Sequence, residues 1–212
     1  MSVEVVTLTH TSPFGVEVRS TLFQHNPPAD RLLLLLPGRG YTVNHPLLFH
    51  LLYVALENGW DALPVSYGFQ AAAGDFTPEQ FPLLQRDVAL ATGPALARGY
   101  RQVCAAGKSL GTPLAVDLAR GAKAERVSLI LLTPVSGVMQ ALDGIRTLAV
   151  IGTGDPLYSP EMVRLTEREA YIEWRVYDGL DHALIVRDDW RASVAALHRI
   201  MGDCEQFLRE DG

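Results

Sequence analysis

The chain has 212 residues, of which 48% are hydrophobic and 20% are charged, and its formal net charge is -6. This apolar-rich composition supplies a sizeable core and excludes an intrinsically disordered chain. The length fits one domain, which we expect to span residues 1–212. The acidic balance and the lack of any run of Lys or Arg argue against nucleic-acid and anionic-membrane partners.

The cysteine content and the hydropathy of the chain argue against further classes of protein. Cys104 and Cys204 are too few for a disulfide framework or a cysteine metal site, and we expect buried or half-buried thiols. The N-terminal segment has an early Glu4 and no basic stretch before an apolar run, so we expect no signal peptide. The longest purely apolar run, residues 32–37, is far shorter than the ~20 residues of a membrane helix. We therefore expect a soluble, cytoplasmic protein.

Short apolar runs and longer amphipathic runs predict the secondary structure. The first two strands, over residues 3–9 and 15–24, are joined by a turn that contains Ser12, Pro13 and Gly15. A run of five leucines, stopped by Pro-Gly, predicts a fully buried third strand over residues 31–38. The remaining predicted elements are, in chain order, a helix over 45–59, a strand over 60–67, a helix over 79–100, a strand over 101–107, a helix over 109–121, strands over 125–134 and 146–152, a helix over 160–168, a strand over 171–179 and a helix over 188–208.

The order of these elements predicts the fold class. After the hairpin, strands and helices alternate, which is typical of an α/β protein with a mainly parallel sheet and helices on both faces. We expect about seven or eight strands, of which the first two are antiparallel. Within the helix over 79–100, Pro94 predicts a break or a restart.

One motif carries candidate chemistry: residues 107–111 read G-K-S-L-G and match the pattern G-x-S-x-G. The pattern indicates a catalytic serine, here Ser109, when it lies in a sharp turn between a strand and a helix, and this is its predicted context. The glycines at both ends allow the backbone to fold tightly around a strained serine. The alternative is an ordinary glycine-flanked turn.

A serine nucleophile needs a base and an acid. Asp155 follows the strand over 146–152, and His182 follows the last predicted strand, so the chain order is serine, aspartate, histidine. We predict these three residues as the catalytic set. Asp178 and Asp181 compete for the acid role, but Asp181 is adjacent to the histidine and Asp178 fits a turn better. A turn aspartate and a surface histidine are the alternative interpretations.

The loop over residues 37–41, Pro-Gly-Arg-Gly-Tyr, is the candidate oxyanion loop. Backbone N–H groups must point at the oxygen that becomes negative during acyl transfer. One is expected from Leu110, directly after the serine, and the second from Arg39, with Gly40 as the alternative. A plain strand-terminating turn is the other interpretation of this loop.

Together, the leucine run with its Pro-Gly-Arg-Gly end, the GKSLGT elbow, the GTGDP loop and the GLDH loop resemble the α/β-hydrolase superfamily. The resemblance spans nearly the whole chain and is to its small dienelactone-hydrolase-like and carboxylesterase-like members. It implies an α/β-hydrolase fold and a serine hydrolase without a cofactor. The chain departs from dienelactone hydrolases, which have a cysteine nucleophile where Ser109 stands. It also has Pro37-Gly38 where many relatives carry His-Gly.

The substrate pocket is expected to be open, because residues 134–147 leave no room for a cap domain. Arg39 and Lys108 flank the catalytic loops and could attract an anionic substrate. The alternative is that both side chains face solvent or pair with a carboxylate. The candidate pocket residues at the ends of the strands are Gly38, Gly40, Tyr41, Tyr67, Phe69, Lys108, Pro134, Met139 and Tyr158. A purely structural role is the alternative for these side chains.

The sequence thus predicts a serine hydrolase that acts on a small carboxylic ester. A thioesterase or acyltransferase with the same three residues is one alternative. Another is an interaction module with the hydrolase fold and little activity, since the GKS-type elbow also resembles that of small hydrolase-like proteins without known activity. No pair of the other histidines has metal-ligand spacing with a carboxylate, so we predict no metal. The predicted serine-hydrolase mechanism involves no cofactor. The oligomeric state stays open.

Overall fold

The computed structural model describes residues 2–210. The described chain contains eight strands: β1 (Ser2–Thr11), β2 (Glu17–Asn26), β3 (Arg31–Leu36), β4 (Asp61–Pro64), β5 (Gln102–Lys108), β6 (Arg126–Leu132), β7 (Arg146–Gly152) and β8 (Ile172–Tyr177). Its α-helices are α1 (Pro46–Glu57), α2 (Gly68–Ala71), α3 (Phe81–Leu96), α4 (Gly111–Gly121), α5 (Pro160–Thr166) and α6 (Trp190–Glu210). Each predicted strand and helix is present, and the four-residue α2 is an addition.

The strands form a single mixed sheet in the order β1-β2-β4-β3-β5-β6-β7-β8. β1 and β2 are an antiparallel hairpin, β2 is antiparallel to β4, and all pairs from β4 to β8 are parallel. In the hairpin turn the Ser12 carbonyl accepts from Gly15 N–H, and Gly15 has a positive φ of 81°. The predicted fold class, a mainly parallel sheet that begins with a hairpin, is confirmed.

The leucine run of β3 shows why the central strands are apolar throughout. Leu32 and Leu34 point to one face of the sheet, where α3 and α4 pack, and Leu33 and Leu35 point to the other, where α1 and α6 pack. All four side chains are fully buried. We call these sides the α3/α4 face and the α1/α6 face. A strand that is covered on both faces cannot alternate between apolar and polar residues.

The predicted break at Pro94 is wrong, because α3 continues through this proline to Leu96. Pro94 lies in the last turn of the helix, so it removes only the bond that its own nitrogen would have donated to the Leu90 carbonyl. Leu90 is 41% exposed. One missing hydrogen bond on the solvent side of a last turn is a defect that the helix tolerates.

The loops that follow the parallel strands meet at the carboxyl edge of the sheet, where α/β proteins place their sites. Between β6 and β7 the described chain has only a short 3-10 turn, Val138–Ala141, and no cap domain. Within residues 2–210, no helix is long and apolar enough to cross a bilayer.

Candidate active site

Ser109 lies at the carboxyl end of β5, two residues before α4 begins. Its φ of 51° lies in the left-handed region, which side chains rarely adopt. Its N–H donates to the Leu132 carbonyl at 3.0 Å, and its own carbonyl accepts from Thr112 N–H at 2.8 Å and from Thr112 Oγ1 at 2.7 Å. These bonds hold the strained backbone, and the side chain is left at the edge of the sheet.

The two glycines of the motif are required by close backbone contacts. A Cβ atom on Gly107 would overlap the backbone of Gly111, and one on Gly111 would overlap the carbonyls of Leu36 and Pro37. The turn therefore packs against both itself and the end of β3. This contact brings the elbow next to the loop over residues 37–41.

The structure brings the side chains of Ser109, His182 and Asp155 together. His182 Nε2 is 2.9 Å from Ser109 Oγ, and His182 Nδ1 is 2.8 Å from Asp155 Oδ2. The Asp155 side chain is fully buried, whereas that of His182 is 40% exposed. Because an ionised carboxylate only accepts, the Nδ1 proton is donated to Asp155, and Nε2 is free to accept from the serine hydroxyl.

The two competing carboxylates are engaged elsewhere. Asp178 accepts from Thr153 Oγ1 at 2.9 Å, and Asp181 accepts from Ala183 N–H at 2.8 Å within its own turn. Asp155 is also fixed from its other side, because its Oδ1 accepts from Leu157 N–H at 2.8 Å. Asp155, in the loop that follows β7, is therefore the carboxylate that contacts His182.

The loop over residues 37–41 is held by two side chains that the sequence did not identify in this role. Gln70 Nε2 donates to the carbonyls of Gly38 and Arg39 at 2.8 and 3.1 Å, and Tyr67 donates from its hydroxyl to the Pro37 carbonyl at 3.0 Å. In a trans peptide the N–H points opposite to the carbonyl. The N–H groups of Arg39 and Gly40 therefore point away from Gln70.

Backbone donors are available beside the serine. Within residues 2–210, no protein acceptor takes the N–H of Leu110, Arg39 or Gly40, whereas Gly38 N–H donates to the Tyr41 carbonyl. A Cβ atom on Gly38 would lie 3.5 Å from Ser109 Cβ, so the loop and the serine are in contact range. The geometry permits either Arg39 or Gly40 as the second donor.

Arg39 and Lys108 differ from each other in their surroundings. The Arg39 side chain is 57% exposed and pairs with Asp75, 2.5 Å away, which is the alternative that the sequence left open. Lys108 is 1% exposed and donates to Thr133 Oγ1 at 2.6 Å, with its Nζ 5.3 Å from the centre of the Tyr41 ring. The alternative that Lys108 faces solvent is therefore wrong, because this last residue of β5 points into the α1/α6 face, and its attraction of an anionic substrate stays a prediction.

Burial lowers the pKa of Lys108 from 10.5 to about 8, against the opposing effect of the nearby Asp155 and Asp181 carboxylates. Thr133, its hydrogen-bond acceptor, has a φ of 51°, a rare conformation for a β-branched residue. Ser109 and Thr133, which directly follow β5 and β6, thus both have a strained backbone. Both are neighbours of Lys108, whose amino group is buried.

The other candidate pocket residues divide into two groups. Gly38, Gly40 and Tyr41 lie in the loop beside Ser109, and Tyr158 is half-buried after the Asp155 turn. Tyr67 and Pro134 are buried, and Phe69 and Met139 are each 3% exposed and belong to the core of the α3/α4 face. Their side chains therefore lie beneath the carboxyl edge rather than on an open wall.

Two of the remaining histidines are tied to buried carboxylates. His10 Nε2 lies 2.8 Å from Asp87 Oδ1, and His25 Nδ1 lies 3.0 Å from Asp61 Oδ1. His198, in α6, is exposed. Among the described residues, no group of three His, Cys, Asp or Glu side chains has a geometry that could hold a metal ion.

Several solved structures match almost the whole chain. An α/β serine hydrolase without a lid from Xanthomonas campestris is 16% identical, with a TM-score of 0.70, 98% of this chain covered and 94% of that chain. An esterase from Pyrococcus furiosus is 13% identical, with a TM-score of 0.69 and coverages of 99% and 94%. A dienelactone hydrolase from Anabaena variabilis is 16% identical, with a TM-score of 0.65 and coverages of 94% and 96%. No protein-family model and no curated protein matches the sequence.

Proposed function

We propose that this chain, which has the α/β-hydrolase fold without a cap, is a serine hydrolase that cleaves a small carboxylic ester. The observation that carries the proposal is the continuous line of contacts from Ser109 Oγ through the His182 ring to the buried Asp155 carboxylate, 2.9 and 2.8 Å long. The left-handed backbone of Ser109 supports the same assignment, since a nucleophile elbow requires this strain.

In the proposed reaction, Ser109 Oγ attacks the acyl carbon while His182 Nε2 removes the hydroxyl proton. The carbonyl π-electrons move to the oxygen, and a tetrahedral intermediate forms. His182 then returns the proton to the alcohol oxygen, the bond between the acyl carbon and this oxygen breaks, and the alcohol leaves. Water repeats the sequence on the acyl-serine and releases the acid. Asp155 keeps the imidazole in the required tautomer and stabilises its cation.

The negative oxygen of the intermediate is assigned to the N–H groups of Leu110 and of Arg39, with Gly40 as the alternative to Arg39. Their support is that these groups lack protein acceptors in the described chain and that Gln70 pins the neighbouring carbonyls on the opposite side. Such preorganised donors stabilise charge without any reorganisation during the reaction, and removal of one costs about 3 kcal/mol in known cases.

The open carboxyl edge favours small substrates. No cap covers the site in the described chain, and solved structures of the same fold include an enzyme without a lid and an esterase. The deacylating nucleophile is assigned to water because the half-exposed His182 ring is accessible to it.

The test is turnover of p-nitrophenyl acetate by the wild-type chain and by Ser109→Ala. We expect the variant to lose activity while it keeps the circular dichroism spectrum and the thermal midpoint of the wild type. The matched control is Ser136→Ala, which alters an exposed serine at the same edge of the sheet and should leave turnover unchanged.

A fluorophosphonate probe gives an independent readout, because it labels only an activated serine. Covalent labelling that disappears in Ser109→Ala supports the proposal. Folded wild-type protein that neither reacts with the probe nor cleaves any ester would contradict it and favour an interaction module. Parallel rates on an oxygen ester and its thioester analogue separate an esterase from a thioesterase.

A further inference from the structure

An apolar cavity of about 290 Å³ lies beside the candidate active site, between the start of α1, the loop that follows His182 and the first half of α6. Its lining includes the aliphatic residues Leu47, Ile185, Val194 and Leu197. The volume is just below the range for pockets that hold whole small-molecule ligands, about 300 Å³ and above. The cavity suits part of a small molecule rather than a macromolecule.

Three polar atoms in the cavity walls already have protein partners. The Tyr41 hydroxyl accepts from Leu47 N–H at 3.0 Å, and burial raises the Tyr41 pKa to about 12, so this group stays neutral. His45 Nδ1 accepts from Thr42 N–H at 3.0 Å, and the Ser193 hydroxyl donates to the Asp189 carbonyl at 2.8 Å. The walls therefore offer a ligand mainly carbon surface.

Two wall residues connect the cavity to the reacting atoms. Ala183 is adjacent to His182 in the chain. Tyr41 reaches the nucleophile through Gly38, because a Cβ atom on that glycine would lie 3.2 Å from Tyr41 Cβ and 3.5 Å from Ser109 Cβ. The cavity thus borders the candidate site on the side of the imidazole and of the oxyanion loop.

The position beside the imidazole indicates which part of an ester would enter. The leaving alcohol oxygen must come within hydrogen-bond distance of His182 Nε2 to receive its proton. The carbon atoms attached to that oxygen therefore lie on the imidazole side of the scissile bond. The acyl carbons are on the far side of the carbonyl carbon.

A second cavity, of about 570 Å³, lies on the other side of residues 37–44 and has a different character. Its lining includes the polar side chains of Arg19, Thr42, Asn44, Ser66 and Gln70. It touches neither His182 nor its neighbours in the chain. An alkyl chain that leaves water therefore gains more free energy of transfer in the smaller, apolar cavity than in this polar one.

We propose that the cavity between α1, α6 and the residues after His182 binds the alkyl part of the substrate's alcohol, so that the enzyme prefers esters of apolar alcohols over methyl esters. This inference rests on the proposed function. Each methylene group transferred from water to carbon walls should raise kcat/KM about fourfold until the cavity is filled.

The experiment measures kcat/KM by pH-stat titration on two ester series. The alcohol series is methyl, ethyl, propyl and butyl acetate, and the acyl series is methyl acetate, propionate and butyrate. We expect a rise of about fourfold per methylene in the alcohol series and a clearly smaller rise in the acyl series. A flat alcohol series, or an acyl series that is equally steep, overturns the inference.

The matched variants are Val194→Asn, on the rim of the cavity, and Leu90→Asn, on α3 at the opposite face of the sheet. Both side chains are exposed on helices, at 57% and 41%, so neither substitution should prevent folding. We expect Val194→Asn to lower the ratio of butyl to methyl acetate rates about threefold or more, and Leu90→Asn to keep the wild-type ratio. Equal ratios in both variants contradict the assignment of the cavity.

Failure of the inference and failure of the proposed function give different results. Turnover that depends on Ser109 but is indifferent to alcohol length overturns only the assignment of the cavity. Absence of Ser109-dependent turnover on every ester in both series overturns the proposed function and the inference with it.

Discussion

Lys108→Met removes the buried amino group at the end of β5 and keeps an unbranched side chain of similar length. In the folded chain, burial lowers the pKa of this lysine from 10.5 to about 8. One pKa unit corresponds to about 1.4 kcal/mol, so holding the charged lysine in the folded state costs roughly 3 kcal/mol. The hydrogen bond from Lys108 to Thr133 Oγ1 stabilises the folded chain by about 1 kcal/mol, and the variant loses this contribution.

The pH dependence follows from the lowered pKa. Below pH 8 the lysine is charged in both states, and the folded chain carries the full penalty. As the pH rises from 8 to 10.5, the folded chain releases a proton that the unfolded chain still holds, so the free energy of unfolding increases. We therefore expect Lys108→Met to be more stable than the wild type by about 1–3 kcal/mol at pH 7, with the gain shrinking toward alkaline pH.

Urea unfolding at pH 7 and pH 9.5, followed by tryptophan fluorescence, measures this difference. The only other lysine of the chain, Lys123, is exposed, and Lys123→Met is the matched control, for which we expect a change within about 0.5 kcal/mol at both pH values. A Lys108→Met variant that is less stable than the wild type at pH 7, or a difference that is equal at both pH values, would refute the reasoning.

Three further predictions concern the supports of the fold and the site. Gln70→Leu removes both bonds to the oxyanion loop, and we expect steady-state kinetics to show kcat lowered about tenfold with KM little changed; an altered KM alone would contradict this. Asp61→Ala leaves the buried Tyr100 hydroxyl without its acceptor, 2.8 Å away, and should lower the urea-measured free energy of unfolding by about 3 kcal/mol, whereas a loss below about 1 kcal/mol would argue against the network. Gly107→Ala forces a Cβ atom into the backbone of Gly111 and should lower the free energy of unfolding, measured by thermal melts, by more than about 3 kcal/mol. Gly121→Ala, with open space around the added Cβ atom, is the control and should be neutral or stabilising in the same measurement.

Most of the sheet could be predicted because each central strand is buried on both faces and must be apolar throughout. The five leucines of β3 are the clearest case, and the hairpin followed from the turn residues around Gly15. The short helix α2 left no signal, since four residues cannot display a helical period. The prediction of a break at Pro94 was wrong because the sequence shows only that a backbone hydrogen bond is missing. It does not show that this bond would lie on the solvent side of the last helical turn.

The candidate site was predictable where chemistry depends on residue type and chain order. The elbow glycines, the late aspartate and the histidine after the last strand occupy positions that the fold brings to one edge. Gln70 and the burial of Lys108 could not be found in this way, because their contacts join segments distant in the chain. Whether a lysine beside a nucleophile faces substrate or core depends on the strand's pleat and on its neighbour Thr133.

His182 lies on the loop between β8, at the outer edge of the sheet, and α6, which packs on α1. The imidazole can reach the end of β5 only while this C-terminal segment stays docked. Within residues 2–210, β8 pairs only with β7, so opening of this strand breaks the hydrogen bonds of one strand pair. Local opening of β8 should therefore lower turnover at denaturant concentrations below those of global unfolding, so that activity would report on this edge of the sheet.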